Sequence, residues 1–169
     1  MLMMLAIQVA TVFLVGIAMT MALAHVLEFP GKLRLDEQTY MAVQMIYYPG
    51  FTIGGIGEGL AIIATLILMI AKRPDGAAFW WALAAFVALL AMHAVFWSVT
   101  QPVNRYWLKN QRLGTAGTRF FGIDRSNRSA TNAFDPNWKD LRDRWEYSHI
   151  VRAALSAIAL IAVTIAVAI

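Results

Sequence analysis

Tyr47-Tyr48-Pro49-Gly50-Phe51-Thr52-Ile53-Gly54-Gly55-Ile56-Gly57-Glu58-Gly59-Leu60 opens an apolar run that continues to Ala71. Glu58 stands about two helical turns inside that run. A charge at such depth in a membrane helix is costly unless it is paired, protonated or turned toward a polar cavity. Gly54, Gly55, Gly57 and Gly59 surround it, so neighbouring helices are expected to approach closely and leave a tight, protein-lined space. Reading this stretch as a membrane span decides the fold. What accompanies Glu58 decides the function.

The rest of the chain agrees with a membrane reading. Of 169 residues, 60% are hydrophobic and 14% charged, whereas soluble domains run near about 45–50% apolar and about 25% charged. The chain holds no cysteine, which rules out disulfides, thiol redox chemistry and cysteine-held iron–sulfur clusters or zinc. The net charge of +4 is concentrated in one connection and reads as a topology signal, not as nucleic-acid binding.

Four stretches, 2–27, 50–71, 77–100 and 148–169, are long enough to cross a bilayer core, which takes about 20 residues. The predicted architecture is an all-α integral membrane four-helix bundle, up-down-up-down, forming a single transmembrane domain over residues 1–169. The first span has no Lys or Arg before Lys32 and is read as a retained helix, not a signal peptide. Pro30-Gly31 is expected to stop it. Asp36 then caps a short interfacial helix that Pro49-Gly50 ends, with Met41, Met45 and Tyr48 on one side.

The third connection, 101–147, carries nine of the fourteen Lys and Arg. Asp135-Pro136 is an N-cap followed by proline at the first helical position. Trp138, Leu141, Trp145 and His149 recur at helical spacing behind it, with Arg142–Glu146 as an i, i+4 pair, so the fourth helix is expected to extend into the cytoplasm. The first and third connections together hold eleven Lys and Arg against two in the second. The positive-inside rule therefore puts the long connections in the cytoplasm and both termini outside, in a bacterial inner membrane.

The three histidines lie on three different spans: His25 late in the first, His93 late in the third and His149 at the start of the fourth. Threaded up and down, they reach the same end of the bundle as Glu58, within about 10 Å of depth. Glu28 and Glu146 stand three residues from His25 and His149. A Glu-x-x-His pair on a bundle helix is a building block of carboxylate-bridged dimetal sites. His25, His93, His149 and Glu146 are thus candidate metal ligands, suited to iron, copper or zinc, and two of the imidazoles suit a haem. The residue types leave that choice open. Arg152, one turn beyond His149, is the competing partner for Glu58, since a buried Glu–Arg pair satisfies both charges without any function. Tyr47, Trp97 and Arg152 are candidates for holding a cofactor. Tyr47 and Trp97 also belong to an interfacial aromatic belt that needs no ligand to explain it.

The layout resembles the anthrone-oxygenase-like family of small four-helix membrane proteins. The likeness is carried by Leu23-Ala24-His25-Val26-Leu27-Glu28-Phe29-Pro30-Gly31, by Tyr47-Tyr48-Pro49-Gly50 leading to Gly57-Glu58, and by Arg142-Asp143-Arg144-Trp145-Glu146-Tyr147-Ser148-His149. The resemblance implies oxygenation of a polycyclic phenol and transfers no residue role.

Two functions are carried forward. One is a membrane oxidoreductase or oxygenase whose metal or haem sits near the cytoplasmic face, acting on a hydrophobic aromatic or quinol-type small molecule from the bilayer. Glu58 or Glu28 shuttles its protons. The other is a non-catalytic accessory subunit that docks other membrane subunits.

Overall fold

A computed structural model of the chain describes residues 1–108, 115–121 and 137–169, and every regular element among them is helical. In chain order these are α1 (Leu2–Lys32), α2 (Glu37–Gln44) with a 3-10 turn at Met45–Tyr47, α3 (Gly50–Gly54), α4 (Ile56–Ala71), α5 (Ala77–Val95), a π-helical turn (Phe96–Thr100), α6 (Gln101–Leu108), α7 (Thr115–Phe120) and α8 (Trp138–Ala168). Four stretches are long and apolar enough to cross a membrane: Leu2–Lys32, Gly50–Ala71, Ala77–Leu108 and Trp138–Ala168. The chain is a multi-pass membrane protein.

Each long helix buries one stripe at spacings of three and four. Thr11, Val15, Ala18, Ala22 and His25 do so on α1; Glu58, Ala61, Thr65 and Leu68 on α4; Ala82, Ala85, Leu89 and Met92 on α5; Arg152, Ser156, Ala159, Val163 and Ala166 on α8. The opposite stripe of α4, through Ile56, Leu60, Ile63, Ile67 and Ile70, is exposed and wholly apolar. This arrangement, more polar within than without, fits a lipid solvent. Buried hydroxyls are satisfied inside the bundle: Thr11 donates to the Ile7 carbonyl at 2.7 Å and Thr65 to the Ala61 carbonyl at 2.7 Å.

The four helices close a ring in which α1 and α5 each pack on both α4 and α8. The register between α1 and α4 is antiparallel, with Thr11 beside Ala64, Ile17 beside Gly57 and Met21 beside Gly54. Gly50-x-x-x-Gly54 and Gly55-x-x-x-Gly59 are not the packing surfaces that their spacing implies. Gly54 and Gly57 make the close approach, where a Cβ on Gly57 would stand 3.1 Å from Ile17 Cγ2, while Gly50 and Gly59 have open space. The inner stripes are mostly alanine, which lets the backbones draw together.

Two boundaries and one buried face differ from the sequence reading. Pro30 does not stop α1, which runs on to Lys32; a proline in the last turn forfeits only one intrahelical bond there. The third span does not end at Thr100. A π-helical turn, in which the Gln101 amide donates to the Phe96 carbonyl, leads directly into α6 and accommodates Pro102 in its first turn. The inward face of α2 is Tyr40 and Tyr47, both buried, while Met45 is exposed. Asp36 does cap α2, accepting the Thr39 amide at 2.8 Å. Hydrogen bonds from Thr39, its backbone N–H foremost, hold the Asp36 carboxyl below the usual carboxylate range. Asp135-Pro136 lies outside the described residues; at the start of α8 the Asn137 side chain accepts the Lys139 amide at 3.1 Å.

Candidate functional site

Glu58 is 5% exposed and sits in the first turn of α4, turned into the bundle. Two groups meet it there. Arg152 Nη2, from α8, donates to Glu58 Oε2 at 2.7 Å. His93 Nδ1, from α5, lies 3.0 Å from Glu58 Oε1. The Trp97 indole N–H, one turn further along, donates to His93 Nε2 at 2.8 Å. That bond makes Nε2 the acceptor and puts the ring proton on Nδ1, facing the carboxylate. Trp97 is 48% exposed and the His93 side chain 39%, so this edge of the cluster reaches the protein surface.

His25 and His149 pack edge to face with ring centroids 4.2 Å apart, walled by Tyr47, Phe51 and Trp145. His149 Nδ1 donates to the Trp145 carbonyl at 2.9 Å, and Trp145 is itself fixed by a 2.8 Å hydrogen bond to Asn104 Oδ1. Glu58, His93, Trp97, Arg152, His25, Tyr47 and His149 all line one partly open cavity of about 160 Å³. Its roof is the end of α7 and the turn after it, where the Phe120 and Phe121 carbonyls accept from Gln101 Nε2 at 2.9 Å and Arg105 Nε at 3.1 Å. No lining residue lies beyond Arg152 on α8 or before Ala18 on α1. Further along, the inner stripes pack solidly around Val15, Leu68 and Leu89.

Glu28 and Glu146 stand outside this cavity in a second ionic cluster. Lys32, almost fully buried, lies 3.1 Å from Glu28 and 3.5 Å from Glu146, with its ammonium 4.8 Å from the ring centroids of both Tyr47 and Trp145. Tyr40 donates to Glu146 at 2.9 Å, and Tyr47 donates to Glu28. Glu146 is therefore not the partner of Arg142, which turns instead to Asp143 at 2.7 Å. Tyr47 and Trp145, the two rings against Lys32, also line the cavity.

The residues named as metal ligands do not converge as a ligand set. Both nitrogens of His93 are engaged, Glu146 faces Lys32 and Tyr40, and His25 Nδ1 is 3.9 Å from Glu28. Among the described residues no group of three or more His, Asp or Glu is placed to hold a metal ion. Two imidazoles on opposite faces of one metal, each nitrogen about 2 Å from it, put their ring centroids about 6 Å apart. The 4.2 Å contact of His25 and His149 leaves no room for such a clamp between those two rings as they stand.

Burial, with Glu146 beside it, pushes the Tyr40 phenol far above its ordinary value, and burial with the Glu28 hydrogen bond does the same to Tyr47. A raised phenol keeps its proton in the folded chain after the unfolded chain has lost it. Stability is therefore intact below about pH 10 and falls as pH rises beyond it. Thermal unfolding followed by circular dichroism in detergent will show a midpoint that drops more steeply above about pH 10 in the wild type than in Tyr40→Phe.

Lys32, Tyr40, Gln44, Asn104 and Trp107 complete these surroundings and were not foreseen from sequence. For Lys32 a signal exists: it follows Glu28 by four residues on a helix, once that helix is allowed to pass Pro30.

The class that fold and site define is a helical membrane bundle in which a Glu–Arg pair, with a partly exposed histidine beside it, lines an aromatic-walled cavity. The sequence profile of the anthrone oxygenase family matches residues 47–162, more than half of the chain, and the protein belongs to that family. Comparison with curated proteins and with solved structures gave no match.

Proposed function

We propose that the chain is a membrane oxygenase that takes a flat, hydrophobic phenol, or its keto tautomer, from the bilayer into the cavity beside His93. The observation that carries this reading is the Trp97–His93–Glu58–Arg152 chain of hydrogen bonds, whose imidazole end is partly exposed and whose carboxylate end is buried. Family membership supplies the reaction class. Its location is a bacterial inner membrane with both termini outside, on the distribution of Lys and Arg.

In this reading His93 is the proton acceptor. A ligand that displaces the half-exposed Trp97 indole uncovers His93 Nε2. Glu58 orients the ring through Nδ1 and stabilises the imidazolium that forms, while Arg152 fixes Glu58. The proton comes from an activated methylene of the substrate. The electron pair left behind passes to molecular oxygen, a carbon–oxygen bond forms, and His93 returns its proton to give a hydroperoxide. His93 then removes the second methylene proton, the O–O bond breaks, and the departing hydroxide takes that proton. One O2 is consumed, and a ketone and one water are formed. Tyr47 and Glu28 offer a second proton route, from the cavity wall to the partly exposed Glu28 carboxylate.

Anthrone supplied to the purified protein in lipid nanodiscs tests this. Oxygen consumption matching substrate loss, with anthraquinone as product and a rate well above empty nanodiscs, is the expected result. A rate equal to that of empty nanodiscs overturns the proposal and returns the accessory-subunit reading to the front.

A further inference from the structure

Four buried nitrogens on the cavity's lining residues have no hydrogen-bond partner among the described residues: His25 Nδ1, Gln44 Nε2, Trp107 Nε1 and Arg152 Nε. Three are obligate N–H donors. A buried donor without a partner is expensive, and buried tryptophan N–H groups usually have one. Their distribution has a direction. Arg152 is at the inner end. Trp107, from α6, packs on Trp145 at 5.9 Å and on Tyr40 at 5.6 Å, and Gln44 stands one turn beyond Tyr40 on α2. Trp145 and Arg152 are seven residues apart on α8, so the two sets of donors are separated by about 10 Å along the helix. The wall between them carries the rings of Phe51, Phe96 and Trp145 together with the imidazoles of His25 and His149. The Asn104 oxygen at the outer end accepts from Trp145 and from neither of these donors.

We propose that Gln44 and Trp107 form a second polar subsite, at the end of the cavity away from Arg152, that accepts a carbonyl or phenol oxygen at the far end of the ligand. The ligand class that follows is a fused aromatic system carrying an oxygen acceptor at each end. The subsite rests on reading the cavity as a ligand site and sets which of its ligands bind well. Gln44 and Trp107 are specificity residues; neither touches the His93 edge where the reaction is placed.

The test uses intrinsically fluorescent probes: anthracene, its monohydroxy derivative with oxygen at one end, and the dihydroxy derivative with oxygen at both. Titrated into the purified protein in nanodiscs, the dihydroxy probe will bind roughly tenfold more tightly than the monohydroxy probe. Gln44→Met and Trp107→Phe will each erode that preference, while monohydroxy affinity stays within about twofold of wild type. Equal affinities of wild type for the two hydroxylated probes, or a preference that survives in both variants, overturns the subsite and leaves the cavity reading standing. Binding of none of the three overturns the cavity reading and the subsite with it. If a variant loses its helical circular dichroism, the wild-type comparison alone decides.

Discussion

Replacing Arg152 by methionine will destabilise the protein by about 3–5 kcal/mol, the usual cost of leaving one member of a buried ion pair uncompensated. Glu58 is 5% exposed and Arg152 8%, and their 2.7 Å contact is the shortest ion-pair link in the bundle interior. The remaining partner of Glu58 is a neutral imidazole at 3.0 Å, which satisfies an acceptor without cancelling a charge. The double variant Glu58→Gln/Arg152→Met will recover most of the loss, because it removes both charges at once. Equilibrium unfolding in mixed micelles checks both statements. A single-variant loss below about 1 kcal/mol, the range of solvent-exposed pairs, would show that water reaches this cluster.

The second large effect falls on turnover. If His93 is the proton acceptor, His93→Ala will lower kcat by about 10²–10⁴-fold, the span expected for loss of a positioned general base. Glu58→Gln will act in the same direction, and the two losses will combine far less than additively, since each disables the same unit. Stability will change little in His93→Ala because the side chain is 39% exposed. Added imidazole will restore part of the rate to His93→Ala and none to Glu58→Gln, a readout that a merely structural role would not move. A His93→Ala enzyme that keeps more than about a tenth of wild-type kcat removes His93 from the mechanism.

Much of this was legible in the residues themselves. The spans announce themselves because apolar residues come in blocks, and a chain in lipid has few ways to satisfy its backbone. The gathering of His25, Glu58, His93 and His149 at one cavity follows from antiparallel threading and a fixed rise per residue. Arg152 was identifiable as the partner of Glu58 because so few charges are available at that depth. The second cluster was hidden by one local rule taken too far. With Pro30 read as a stop, Lys32 leaves the helix that carries Glu28; with the helix intact, it reaches Glu28 and Glu146 together. Gln44 carries no sequence signal, and Trp107 carries only that of an aromatic at the membrane boundary. What distinguishes them is an unmet hydrogen bond, a property of packing and not of spacing.

The solid alanine-lined half of the bundle has a consequence for the cavity beside it. Among the described residues the hollow stops at Arg152 and the helices beyond it pack on one another, so a molecule that enters the cavity meets an apolar plug at its inner end.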